Sequence, residues 1–129
     1  VEFGTCDVLG ELSAPVNAPL QAAASNVDLF IFSYVLVENA KGIHAKFVEN
    51  GGSLLPGLFR IAAPGAVFLF LDSSFRLWDL IVRMALECGV KVEERRPRWV
   101  RGILKHQRLS NLSNNLLVLI KNPHTANGT

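Results

Sequence analysis

The chain has 129 residues, of which 50% are hydrophobic and 19% charged, with a formal net charge of +2. That length supports one modest core, which excludes a multidomain organisation and makes residues 1–129 a single domain. A mean hydropathy of +0.29 excludes a disordered composition, and no apolar run approaches the ~20 residues needed to cross a bilayer, so no membrane partner is expected.

Residues 1–9 read as a short strand running into Asp7, and the Ala/Pro/Asn/Ser-rich residues 13–26 contain Ala22, Ala23 and Ala24, compatible with a helical turn. Residues 27–37 are apolar on both alternations, as in a central parallel strand covered on both faces. Next, Phe47, Leu54, Leu55, Leu58, Phe59 and Ile61 have helical spacing, which Gly51-Gly52 and Pro56-Gly57 interrupt; the expectation is a broken helix. Pro64-Gly65 is a turn signal leading into a second buried strand over 66–71, which stops at Asp72-Ser73-Ser74.

Ser73 or Ser74 is placed to cap a helix from about 75 to 88, with Arg76, Asp79, Arg83 and Glu87 on one polar stripe and Gly89 as its stop. Residues 90–95 alternate and residues 116–121 form a compact apolar run, so two more strands are expected. The link over 96–115 is expected to hold a short helix or a flap. The order implies an α/β fold of three layers: a Rossmann-like, mostly parallel sheet with an antiparallel strand pair at its C-terminal end.

The charge is uneven. Residues 1–74 carry three basic and seven acidic side chains, whereas the rest carries ten basic and four acidic. Arg95, Arg96, Arg98, Trp99 and Arg101, with Lys105, His106 and Arg108 beyond, mix cations with an aromatic ring, as RNA-contacting surfaces do; a solvated face is the plainer reading. Cys6 and Cys88 form no CxxC pair, and His44, His106 and His124 lie far apart, so no metal site is expected. Without paired cysteines or a targeting signal, the expected setting is intracellular and reducing, most simply the cytoplasm. Val1 is not an initiator methionine, and the chain reads as processed or as part of something longer.

Ligands of open α/β sheets bind beyond the carboxyl ends of the strands. Three such ends are polar here: Asp7 in the first segment, Ser33-Tyr34 leading to Glu38-Asn39 in the second, and Asp72-Ser73-Ser74 in the third. Acids and hydroxyls gathered at one edge suit a ligand rich in hydroxyl and amine donors, although each alone equally suits a turn or a helix cap.

The stretch VDLFIFSYVLVE over 27–38, then a helix, then APGAVFLFLD over 63–72, resembles the fourth- and fifth-strand motifs of class I S-adenosylmethionine-dependent methyltransferases. The similarity runs from that family's third strand onward; Ala66 replaces the second Gly of its Pro-Gly-Gly turn. The Gly-rich cofactor turn and the acidic residue ending the second strand have no counterpart here. The resemblance implies S-adenosyl-L-methionine as cofactor. Asp7 would accept from the adenine amine, Val8 would pack on the ring, and Ser33 and Tyr34 would lie near the methionine part. No residue is assigned as catalytic; Glu38 is the nearest candidate base, and a loop-opening surface glutamate is the simpler reading.

Two functions follow. One is a methyltransferase-like domain that acts on an unspecified acceptor when a complementing chain or segment supplies the cofactor half. The other is a noncatalytic protein-interaction or RNA-binding module derived from the same fold. A reduced sheet would leave residues 27–36 at an edge, where so apolar a strand pairs with another copy, so a homo-oligomer is expected.

Overall fold

The computed structural model describes residues 4–33, 35–50, 54–72, 76–92 and 116–122. A 3₁₀ turn, Pro15–Asn17, leads into α1 (Ala18–Ala24), then β1 (Leu29–Ser33), a second 3₁₀ turn (Val37–Asn39), α2 (Ala40–Asn50) and α3 (Leu54–Ile61). The chain continues through β2 (Val67–Leu71), α4 (Trp78–Glu87), β3 (Val90–Val92) and β4 (Leu116–Lys121).

The four strands form one sheet in the order β1-β2-β4-β3. β1 runs parallel to β2, with Leu29 opposite Val67 and Ser33 opposite Leu71. β4 runs antiparallel to both β2 and β3. The sheet is therefore mixed, with one parallel adjacency, where a mostly parallel one was expected. The cause is β4, the last of these strands in chain order, which enters between β2 and β3 in the reverse direction.

Alternation along the strands divides the apolar side chains between two faces. Phe30, Phe68, Phe70, Leu117, Leu119 and Val90 share one cluster with Ala24 of α1, Ile43 of α2, Leu58 of α3 and Ile81 of α4. Val67, Leu69, Leu116 and Val118 form a second cluster made of strand residues alone. Among the described residues the helices thus lie on one face of the sheet, and the opposite face is buried as well at those four strand residues.

The helical face is built on aromatics. Phe30 stacks on Phe68 with ring centroids 4.7 Å apart, Phe32 stacks on Phe70 at 4.9 Å, and Phe59 of α3 meets Phe68 edge-on at 4.9 Å. Phe59, Phe68 and Phe70 are fully buried; removing each ring from water stabilises the fold by about 1.5–3 kcal/mol.

Other departures from the sequence reading are local. Residues 4–7 hold no strand and residues 8–10 turn, because the Asp7 carboxylate accepts a bond from the Leu9 N–H at 3.0 Å, an Asx-type turn that competes with extended backbone. Pro56 and Gly57 lie inside α3 instead of breaking it. Proline is tolerated there because the first turn of a helix has no intrahelical acceptors for its N–H groups.

Helix α4 starts at Trp78 with Leu77 at the capping position, later than expected, and the anticipated caps Ser73 and Ser74 lie outside the described residues. Its buried side, Leu80, Ile81, Met84 and Ala85, and its exposed Asp79, Arg83 and Glu87 follow the predicted stripe. Gly89 ends it with φ +76°, the left-handed conformation that favours glycine after a helix.

Candidate functional site

The carboxyl ends of β1 and β2 lie side by side, as the parallel register requires, and a crevice of about 240 Å³ opens at the end of β1. Its walls are Val8, Phe32, Val35 and Leu54, with Cys6, Asp7 and Asn39 as its polar members. Asp7 and Phe32 come together because the chain turns at 8–10 and Val8 and Leu12 pack into the cluster against which Phe32 lies.

A network of backbone bonds fixes that geometry. Asn17, fully buried, accepts from the Asp7 N–H at 2.7 Å. Its amide donates to the Asp7 carbonyl at 3.1 Å and to the Glu11 carbonyl at 2.8 Å. The Leu54 N–H donates to the Val8 carbonyl at 3.4 Å, tying the turn to the start of α3. Across the crevice, the Asn39 side chain donates to the Val35 carbonyl at 2.8 Å, and the Leu36 N–H donates to Asp72 Oδ2 at 3.0 Å.

The residues expected at the site divide accordingly. Asp7 and Val8 line the crevice. Ser33 is exposed at the end of β1; strand alternation sets it with Leu29 and Ile31, on the face opposite Phe32. Tyr34 lies outside the described residues. Asp72, 3% exposed, is a structural acceptor for the segment after β1. Glu38 is exposed on the 3₁₀ turn. The basic residues Arg95, Arg96, Arg98, Trp99 and Arg101 lie outside the described residues.

Sequence reasoning missed Asn17, and it named Asn39 only as part of a polar strand end. An asparagine in an Ala/Pro-rich stretch carries no signal of burial; its role depends on two carbonyls brought together only by the turn.

A second hollow of about 400 Å³ lies at the amino ends of β1 and β2, lined by Asp28, Leu29, Pro64, Gly65 and Val67. It is larger, yet a single exposed carboxylate gives it little with which to orient a ligand, and it sits at the end of the strands away from the usual site of α/β sheets. Among the described residues no group of three or more His, Cys, Asp or Glu could hold a metal ion, and no helix is long and apolar enough to cross a membrane.

Lys121, at the end of β4, is a charged group with several partners. Its ammonium donates to the Phe59 carbonyl, to Arg60 at 3.4 Å and to Cys88 at 3.0 Å, satisfying carbonyls at the C-termini of α3 and α4. Burial holds its pKa below the usual lysine value. Burial also pushes the neighbouring Cys88 thiol up, against the opposing pull of Arg60 and Lys121.

Set against protein-family models, curated proteins and solved structures, the chain has no match.

Proposed function

We propose that this chain is the later half of a class I S-adenosylmethionine-dependent methyltransferase-like fold, and that its crevice receives the adenine end of the cofactor. The observation that carries the reading is the convergence of Asp7 and Val8 with the end of β1. Parallel β1 and β2 followed by an antiparallel β3-β4 pair also fit the order of strands that the resemblance implies.

The chemistry of the crevice suits a flat ring bearing an amine. Its walls are apolar, and Asp7 offers a second carboxylate oxygen beyond the one that accepts from Leu9. Its volume sets a limit, since drug-sized ligand sites span about 300–1,000 Å³. A hollow of about 240 Å³ accommodates the ring and leaves the ribose and methionine parts to be held by something else. S-adenosylmethionine, when bound, supplies the methyl group; this chain's residues orient one end of it, and transfer by in-line displacement depends on such positioning.

The rest of the cofactor site is assigned to a complementing chain or segment that attaches along β1. That strand is an edge in the described sheet, yet it carries Leu29 and Ile31 on one face and Phe30 and Phe32 on the other, the composition of a strand covered on both sides. Its outer edge therefore suits a further strand.

Calorimetric titration of S-adenosylmethionine tests the reading. Micromolar binding that weakens at least tenfold in Asp7→Ala supports it. The absence of binding both alone and after addition of a candidate complementing chain favours the second reading, a noncatalytic interaction module, for which the small crevice is the supporting observation. RNA binding through the segment around Arg95 to Arg101 belongs to the same alternative; its affinity should fall steeply with added salt, and a flat response removes it.

A further inference from the structure

We infer that Gly42, Gly57 and Asn17 are positioning residues for the crevice: together they lock the turn carrying Asp7 and Val8 as a preformed wall. The inference rests on the crevice reading above and extends it to groups that do not line the hollow. Gly42 lies within α2 and Gly57 within α3, and glycine inside a helix weakens it relative to alanine. What each glycine admits is a leucine of the turn.

A Cβ on Gly42 would stand 2.7 Å from Leu9 Cδ2 and 2.8 Å from Leu9 Cδ1. A Cβ on Gly57 would stand 2.7 Å from Leu12 Cβ. Each missing methyl group is therefore a notch that the turn fills, one on each helix. The contact at Gly57 is the stiffer, because Leu12 Cβ is attached directly to the backbone and cannot swing aside as the end of Leu9 can.

Asn17 completes the lock from the third side. Fully buried, it holds the N–H and carbonyl of Asp7 and the carbonyl of Glu11 with one side chain. Gly10 leaves room beside it, since a Cβ there would lie 3.3 Å from Asp7 Oδ2. The Asp7 carboxylate is thus set by the turn on which it stands, and a ligand meets a wall already in place, which lessens the ordering cost of binding.

Amide hydrogen exchange on the whole chain tests the lock without any ligand. Gly57→Ala and Asn17→Ala should each accelerate exchange at the Asp7 and Gly10 amides at least tenfold while leaving Phe68 and Leu69 of β2 unchanged, and Gly42→Ala should do so less, because the end of Leu9 can yield. Leu9→Ala, which creates no clash, should accelerate the same amides, and adding Gly42→Ala to it should add little. Unchanged turn amides overturn the inference, as does equal acceleration of the turn and β2, which would mark general destabilisation.

Titration with S-adenosylmethionine provides a separate arm. If the parent binds it, Gly57→Ala should weaken that binding about tenfold, and equal affinity overturns the positioning role. A parent that does not bind counts against the proposed function, while the exchange result still decides the lock.

Discussion

Leu36 and Asp72, 36 positions apart in sequence, share a buried hydrogen bond of 3.0 Å from the leucine N–H to the aspartate Oδ2. It ties the segment after β1 to the end of β2. Asp72→Ala leaves the Leu36 N–H buried without that acceptor, at a cost of about 1–3 kcal/mol. Asp72→Asn keeps an oxygen there and should lose less. Denaturant midpoints at unchanged slope check both values.

Phe68 is the centre of the aromatic layer, stacked on Phe30 and met edge-on by Phe59. Phe68→Ala should destabilise by about 3–5 kcal/mol, the range for deleting a buried ring and leaving a cavity. The same substitution at the exposed Ile31 should cost far less. Thermal and chemical unfolding of the two variants gives the comparison.

Above neutral pH, Cys88 and Lys121 act in opposite senses. The Cys88 thiol is raised above its ordinary 9.0, so the unfolded chain releases that proton first and stability falls as pH rises past 9.0 through the folded value. The Lys121 ammonium is lowered from 10.5. Between its folded value and 10.5 the unfolded chain binds the extra proton, so this contribution grows with pH and is lost as pH falls through the folded value. Cys88→Ala should remove the falling contribution and Lys121→Met the rising one, as read from unfolding free energies between pH 8 and pH 11.

Among the described residues, strand β1 is an edge of the sheet without a lysine or proline to discourage pairing, and Ile31 at its midpoint is 57% exposed. Edges of that kind recruit further strands. Without a complementing segment, the parent should self-associate at high concentration, and Ile31→Lys should restore a monomer with little change in stability. Light scattering that shows the parent to be a stable monomer overturns the expectation.

The strand cores were legible from sequence because each is a short apolar run bounded by turn residues: Leu29 to Phe32, Val67 to Leu71, and Leu116 to Ile120. The α4 stripe and its stop at Gly89 were legible for the same local reason. The gathering of Asp7 with the end of β1 was expected from the rule that ligand-facing polar residues collect at strand ends, whereas its local backbone was not. A carboxylate that bonds the amide two residues on converts a strand-like sequence into a turn, and composition does not register that competition. Gly57 was read as a helix breaker; its purpose appears only once Leu12 lies against it. Which face of the sheet each helix covers is a tertiary property that periodicity alone does not supply.

β4 carries a consequence for biosynthesis. It is the last described strand to be synthesised, yet it occupies the interior of the sheet, between β2 and β3. Until Leu116–Lys121 has left the ribosome, β2 has no neighbour on that side and β3 has no neighbour in the sheet to pair with. Until then that edge of β2 is open to pairing with the wrong strand, so the order of synthesis favours late closure of the sheet.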